Sequence, residues 1–371
     1  MVYLDYNASA PMPRPVIDAV TAAAALCGNP SSVHAYGRRA RALVEDARAA
    51  VADLVGARPA EITFTGGASE ANALALRGCG RRRVLVAASE HESVLTAVPS
   101  PALIPVASDG RVEPGAVAAA IGKDGSDAVV SVMLANNETG VVQPIGDIAA
   151  VAAEAGALLH CDAVQAPGRL AVDRAALGAD LLTLSAHKFG GPKGVGALIV
   201  RDGLAIEAQM RGGGQEKGRR GGTENLTGIA GFGAAAELAA ELAAGRLGSA
   251  EEIAQLRDGL EERLRREMPA VVVFGADQPR LSNTSCFASP GIDAETQVMA
   301  MDLAGFAVSA GSACSSGKVQ TSHVLRAMGV DEAVARCAIR VSLGPETTQE
   351  EVDGFATAWL DLARRLRRSA A

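Results

Sequence analysis

The sequence predicts an α/β protein: a large domain with a mostly parallel, seven-stranded sheet, and a smaller α+β domain. Three observations carry that reading. Between Glu61 and Val200, seven short apolar runs alternate with helical or loop segments, the alternation that builds parallel sheets covered by helices. After an Ala-rich stretch at 225–245 the composition turns charged and strand-like runs become few. Several of the apolar runs end in polar residues, at the edge where open α/β sheets place their ligand sites.

The elements follow in order. Residues 1–14 are extended and Pro-rich. Pro15 opens a helix through about Leu26, stopped by Gly28-Asn29-Pro30. A second helix near Arg38–Val55 carries Leu43, Val44, Ala47, Val51, Leu54 and Val55 on one face, with Gly56 as its stop. The seven runs are Ile62–Thr65, Val84–Ala88, Leu103–Ala107, Ala128–Leu134, Leu158–Asp162, Leu181–Ser185 and Val195–Val200, with helices expected near 69–77, 113–122 and 144–156. Beyond them come a charged helix (Ala250–Met268), strands near 271–274 and 282–288, a helix near 293–304 and a strand at 306–310. A helix near 321–328, a strand at 338–343 and a last helix with Val352, Phe355, Trp359, Leu362 and Leu366 on one face complete the chain. The basic run Arg364–Arg368 reads as a solvated helix C-terminus. We assign 15–247 to the large domain, and 1–14 with 248–371 to the small one.

Composition excludes several classes. The 371 residues carry 42 acidic against 35 basic side chains, a net charge of −7, which argues against a nucleic-acid-binding surface. No apolar run approaches the ~20 residues of a membrane span, and Met1-Val2-Tyr3-Leu4-Asp5 lacks the charged and apolar regions of a signal peptide. A cytoplasmic chain is expected. Six cysteines stand at 27, 79, 161, 286, 314 and 337, with no Cys-x-x-Cys pair, and the five histidines are scattered. Local spacing therefore offers no metal site, and free thiols in a reducing compartment are expected.

The chemistry concentrates at strand ends. Leu181–Ser185 stops at Ala186-His187-Lys188, and Gly190-Gly191-Pro192 forbids continuation as strand or helix. A lysine held at such an edge loses hydration, which favours the neutral amine that condenses with an aldehyde, although a strand-end lysine can equally reach solvent. Ile62–Thr65, Gly66-Gly67 and the helix opening at Ala68-Ser69 form a strand–turn–helix unit that suits an anion, as well as a plain turn. It matches neither Gly-x-Gly-x-x-Gly nor a P-loop, which disfavours a dinucleotide or a nucleoside triphosphate. Leu158–Cys161 ends in Asp162, with Gln165 one turn on. Asp162 is either an N-cap or a carboxylate for a protonated pyridine nitrogen. His91 follows the Val84–Ala88 run in the same manner, so four strand ends carry Ser69, His91, Asp162 and Lys188.

Tyr3-Leu4-Asp5-Tyr6-Asn7-Ala8, Gly28-Asn29-Pro30-Ser31-Ser32, Glu90-His91, Asn136-Asn137-Glu138-Thr139-Gly140, Asp162-Ala163-Val164-Gln165 and Ser185-Ala186-His187-Lys188 together resemble pyridoxal-phosphate enzymes of the class V aminotransferase fold. Within that fold-type I group, the sequence is most similar to cysteine desulfurases, in order from residue 3 to about 345. The resemblance implies pyridoxal 5'-phosphate held covalently by Lys188, with Asp162 on the ring nitrogen and Gln165 on the phenolic oxygen. It implies His91 stacked on the ring, and Ala68 (backbone), Ser69, Ser185 and His187 around the phosphate. Ser69 stands where the family usually has threonine and keeps the hydroxyl. The glycine-rich stretch 212–225, blindly a flexible surface loop, is similar to one that crosses a homodimer interface so that Thr223 reaches the partner's phosphate.

Cys314 lies in Ser309-Ala310-Gly311-Ser312-Ala313-Cys314-Ser315-Ser316-Gly317-Lys318, small residues that specify a loop rather than packed core. An isolated cysteine is otherwise more often structural. The element resembles the Ser-Gly-Ser-Ala-Cys loop of group I desulfurases, which implies that Cys314 takes the sulfur of L-cysteine as a persulfide while alanine is released. Ile339-Arg340-Val341-Ser342-Leu343-Gly344 is similar to the family segment whose arginine binds the substrate carboxylate, with Asn137 assisting. The implied role is sulfur supply to an acceptor protein for iron–sulfur clusters, another sulfur-containing cofactor or tRNA. The chain ends soon after Gly344, where housekeeping relatives carry a longer scaffold-docking tail, so that acceptor stays open. A selenocysteine lyase and a class V aminotransferase are the alternatives; a non-catalytic assembly subunit is disfavoured by Lys188, Asp162, His91 and Cys314 together.

Overall fold

The computed structural model describes residues 1–247, 250–311 and 321–370. Cys314 lies outside the described residues. Strand β1 (Val2–Tyr3) precedes the large sheet, which is built from β2 (Ile62–Thr65), β3 (Arg83–Ala87), β4 (Ala102–Ile104), β5 (Ala128–Ser131), β6 (Leu158–Asp162), β7 (Leu181–Ser185) and β8 (Gly196–Val200). Among the described residues, β9 (Val272–Val273), β10 (Thr284–Ala288), β11 (Phe306–Ala307), β12 (Ser309–Ala310) and β13 (Ala338–Ser342) follow.

The large sheet has the order β2-β8-β7-β6-β5-β3-β4, and only β8 runs against its neighbours. Its strands read as unbroken apolar runs because both faces are covered. Val130, Leu159 and Leu182 face one core with Phe64 and Phe232, while Val129, Leu158 and Leu181 face another with Leu74 and Leu76. The period of two places His160 and Asp162 on the same side as Leu158. That side is roofed by the helix Ala68–Gly78, so Asp162 at the strand end lies under a helix that begins at the Gly66-Gly67 turn.

The second body gathers Leu4, Leu260, Leu264, Phe287, Val341, Phe355 and Trp359 around the sheet β12-β13-β10-β9. Trp359 packs edge-on to Phe287 with ring centroids 5.2 Å apart, and its indole N–H donates to Gln297 Oε1 at 2.8 Å. The first residues belong to this core: β1 pairs in parallel with β11, and Tyr6 N–H donates to Ser342 O.

Two expectations need correction. The single strand expected at 306–310 is two, Phe306–Ala307 paired to β1 and Ser309–Ala310 paired to β13, because the chain leaves one sheet edge for another at Val308. The helices Glu92–Leu95 and Glu332–Ala335 were not foreseen; at four residues each they are too short to show a period. The helix Leu226–Ala243 is, by length and composition alone, apolar enough to cross a membrane. It packs instead against the helices Arg14–Ala24 and Ala35–Leu54, burying Ile229, Phe232, Ala236 and Ala239.

Candidate active site

The carboxyl ends of the strands open into a cavity of about 510 Å³. Its wall collects Ala68 and Ser69 from the helix start, His91 after β3, Asn137 after β5, Asp162 and Gln165 at the end of β6, and Ser185, His187 and Lys188 at the end of β7. Nine of the residues singled out in the sequence thus meet in one place. Thr223 is exposed on its loop and Arg340 is buried on β13; neither lines this cavity.

Each side chain is held by its local structure. Lys188 closes a 3₁₀ turn, Ala186–Lys188, and its Nζ donates to Asn7 O at 2.8 Å and Ala8 O at 3.2 Å. Asp162 Oδ2 accepts from Asn72 Nδ2 at 2.9 Å and its Oδ1 from Val164 N at 3.0 Å. The second bond makes it the head of a turn and not the N-cap of a helix. His91 caps the helix Glu92–Leu95: Nδ1 accepts from Ser93 N at 3.1 Å, and Ser93 Oγ lies 2.9 Å away. This network assigns the ring proton to Nε2. Burial holds the His91 pKa below the usual histidine range, Asp162 opposing and Lys188 reinforcing the shift. His187 is lowered to about 4 by burial, with Lys188 and Lys193 adding to it, so its ring is neutral near pH 7.

One wall of the cavity includes Gly67, whose φ of 144° is open to glycine and strained for other residues. A Cβ there would meet nothing within 4 Å, so conformation and not space requires the glycine. The helix Ala68–Gly78 starts at the next residue, and its N-terminal N–H groups and dipole favour an anion. The donor set as a whole fits pyridoxal 5'-phosphate: an amine for the aldehyde, a carboxylate for the pyridine nitrogen, and hydroxyls at a helix N-terminus for the phosphate.

Other residues complete the site without having been foreseen. Asn72 bridges Asp162 to Ser93, donating to Ser93 Oγ at 3.0 Å. Asn7, fully buried, offers its carbonyl to Lys188 and to Gln165 Nε2 at 3.0 Å. Behind Asp162, Ser131 Oγ lies 2.8 Å from His160 Nδ1 and 3.2 Å from Glu90 Oε1, and His160 Nε2 lies 3.0 Å from Thr183 Oγ1. The pairing of β5, β6 and β7 brings these groups together. A polar residue inside an apolar strand, such as His160, was the signal available for them.

Arg340 Nη2 pairs with Asp5 Oδ1 at 2.7 Å and Nη1 donates to Asn137 O at 2.9 Å, while its buried Nε has no partner among the described residues. The loop with Thr223 has a buried anchor in Glu216, which pairs with Arg48 through both oxygens at 2.8 Å and accepts from Phe64 N at 2.8 Å, and Arg220 ties it to Glu70 at 2.9 Å.

The profile of the family described as Aminotransferase class-V matches residues 2–355. The chain belongs to that family. Within it the chain is a member of the cysteine desulfurase branch. It is 39% identical to an IscS-like cysteine desulfurase of Mycobacterium tuberculosis (strain ATCC 25618 / H37Rv) over 388 residues, which covers 100% of this chain and 98% of that protein. It is 43% identical to a cysteine desulfurase of Cereibacter sphaeroides, covering 99% and 96%. The X-ray structure of a NifS-like protein from Rickettsia africae ESF-5 superposes with a TM-score of 0.90 at 34% identity, covering 98% of this chain and 99% of the other.

Proposed function

We propose that the chain is a pyridoxal-phosphate-dependent desulfurase that converts L-cysteine to L-alanine, leaves the sulfur as a persulfide on Cys314, and passes it to an acceptor protein. The observation that carries this reading is the convergence of Lys188, Asp162, His91 and the Ala68–Ser69 helix start on one cavity. The cofactor, when bound, supplies an electron sink for the substrate's α-carbon. Asp162 would hold its ring nitrogen, Gln165 its phenolic oxygen, His91 its ring face, and Ala68 N–H, Ser69, Ser185 and His187 its phosphate.

Lys188 Nζ takes the substrate's α-proton and returns it. Arg340 and Asn137 would orient the substrate carboxylate, a task that a planar guanidinium suits. The Cys314 thiolate attacks the substrate sulfur; the carbon–sulfur bond breaks with its electron pair on carbon, which is then protonated. One L-cysteine and one thiol become one L-alanine and one persulfide. Burial raises the thiols of Cys79, Cys161 and Cys286 above the usual range, which makes them poor sources of thiolate. We further propose a division into 15–247 and 1–14 with 248–371, a homodimer in which Thr223 of the partner subunit completes the phosphate site, and a cytoplasmic setting. The five described cysteines are free thiols, which suits such a setting.

The test is intact-protein mass spectrometry after incubation with L-cysteine, with alanine quantified in parallel. A sulfur adduct at Cys314 with alanine formed is the expected result. A yellow protein that forms neither, or that yields a keto acid, points to an aminotransferase instead. Cys314→Ser is expected to keep the colour and bind cysteine but to form no persulfide, and normal sulfur release by that variant sinks the assignment.

A further inference from the structure

Arg169 follows Gln165 by one turn and spends its guanidinium on oxygens around the cavity. Nη1 donates to the carbonyl oxygen of Gln165 at 3.0 Å and to its side-chain Oε1. Nη2 donates to Lys188 O at 3.3 Å and Tyr6 O at 3.4 Å. These acceptors belong to the three segments that carry Gln165, Lys188 and Asn7. Among the described residues no carboxylate lies within ion-pair distance of the guanidinium. A positive charge taken out of water without a counter-charge is costly, and folds retain one where something else repays it.

Two consequences follow for Gln165. Arginine can only donate, so the amide oxygen must face Arg169 and the amide nitrogen must face the other way. Nε2 then gives one hydrogen to Asn7 O and keeps the second for the cavity that Gln165 lines. The amide can therefore present only a donor to a ligand oxygen. Behind that donor stands a charge whose own field is not cancelled.

We propose that Arg169 is a positioning residue: it locks Gln165 as a hydrogen-bond donor and places an uncompensated positive charge behind it, so that the cavity selects a ligand with an ionised aryl oxygen. This rests on the pyridoxal-phosphate reading of the site. Burial, and secondarily the charge of Arg340, lowers the Arg169 pKa to about 10, which leaves it cationic near neutral pH. The other charged groups that line the cavity are Lys188, Lys193, Asp162 and Glu70, with His91 and His187 as its titratable rings, and all are kept in the test.

The experiment compares the full-length wild type with Arg169→Met, each loaded with pyridoxal 5'-phosphate, by visible absorbance against pH. Losing a cation destabilises the deprotonated, more negative form of the bound chromophore, so the spectral midpoint is expected to rise by about one pH unit, a tenfold change in the ionisation constant. Binding of 4-deoxypyridoxine phosphate, which has no aldehyde for Lys188, is expected to weaken about tenfold. Should Arg169→Met fail to fold, Arg169→Lys, which keeps charge but not the fork, is expected to move both readouts the same way by less. A wild type that binds the cofactor while the folded variant shows neither change overturns the proposal alone. A wild type that binds neither compound overturns the reading of the site, and the proposal with it.

Discussion

Buried charge is treated differently in two regions of this molecule. In the scaffold, Arg48 meets Glu216 and Arg280 meets Glu261, each pair joined by two bonds of 2.8 to 3.0 Å and nearly free of solvent. Around the cavity, Glu90 is fully buried and Arg169 half-buried, and neither has an opposite charge at ion-pair distance among the described residues. Burial works against the Arg48 charge, but Glu216 more than offsets it and holds the pKa above the usual arginine range. Burial goes unopposed by any carboxylate at Arg169, whose pKa falls, and at Glu90 it acts with the negative charge of Asp162, so that pKa rises far. A pair that cancels itself serves the fold. Charges left open serve something that arrives later.

The sharpest break of that contrast is at Asp162. Asp162→Asn is expected to lower the rate of alanine formation by about 100- to 1,000-fold, the scale for removing one electrostatic group aimed at the reacting centre. The cofactor-free protein should keep its melting temperature. Asn72 Oδ1 is buried without a partner, so its amide can rotate to accept from the new Asn side chain and from Ser93. Undiminished turnover in this variant removes Asp162 from the chemistry and erases the distinction between the two regions.

The strand-end groups were legible because a period of two, an abrupt glycine stop and a polar terminus coincide in a few residues. Asp162 and Lys188 are of this kind, as is the alternation that gave the seven-stranded sheet. What stayed hidden depends on long-range pairing. Nothing near Asn72 announces that its helix will roof the end of β6. Asn7 sits more than 150 residues from Gln165 and Lys188, the groups it serves. The stretch 212–225 reads as loose because ten glycines and charged residues hide one buried carboxylate, and only the fold reveals Arg48 opposite it.

That anchor supplies the second prediction, on the scaffold side. Glu216 and Lys217 adopt left-handed conformations, φ 48° and 60°, which cost roughly 1–2 kcal/mol each without glycine. The Arg48 pair and the bond from Phe64 N hold them there. Glu216→Gln leaves Arg48 buried with only the exposed Glu45 as counter-charge and is expected to cost about 3 kcal/mol in denaturant unfolding. Bound cofactor should retain its visible spectrum. A shift in that spectrum with stability unchanged inverts the expected pattern and rejects the scaffold role.

The smallest effect tests a carboxyl that belongs to neither extreme. Glu138 is buried, hydrogen-bonded by Ser322 Oγ and weakly served by Arg340; burial raises its pKa to about 7 from 4.5. A folded-state pKa above the unfolded value means that the native state binds the extra proton. Its contribution is therefore full below about pH 4.5 and is lost as pH rises through 7, by about 3 kcal/mol at most. His160 and His187, each lowered to about 4, act oppositely: the unfolded chain binds their protons first, so they add stability as pH rises from 4 to 6.5. The wild-type profile sums these opposing slopes and can look flat. The difference between Glu138→Gln and wild type isolates one of them, because glutamine accepts the Ser322 bond and does not titrate. That difference should grow in favour of the variant between pH 5 and 7. A constant difference across that window means that Glu138 ionises normally in the folded protein and that burial does not raise its pKa.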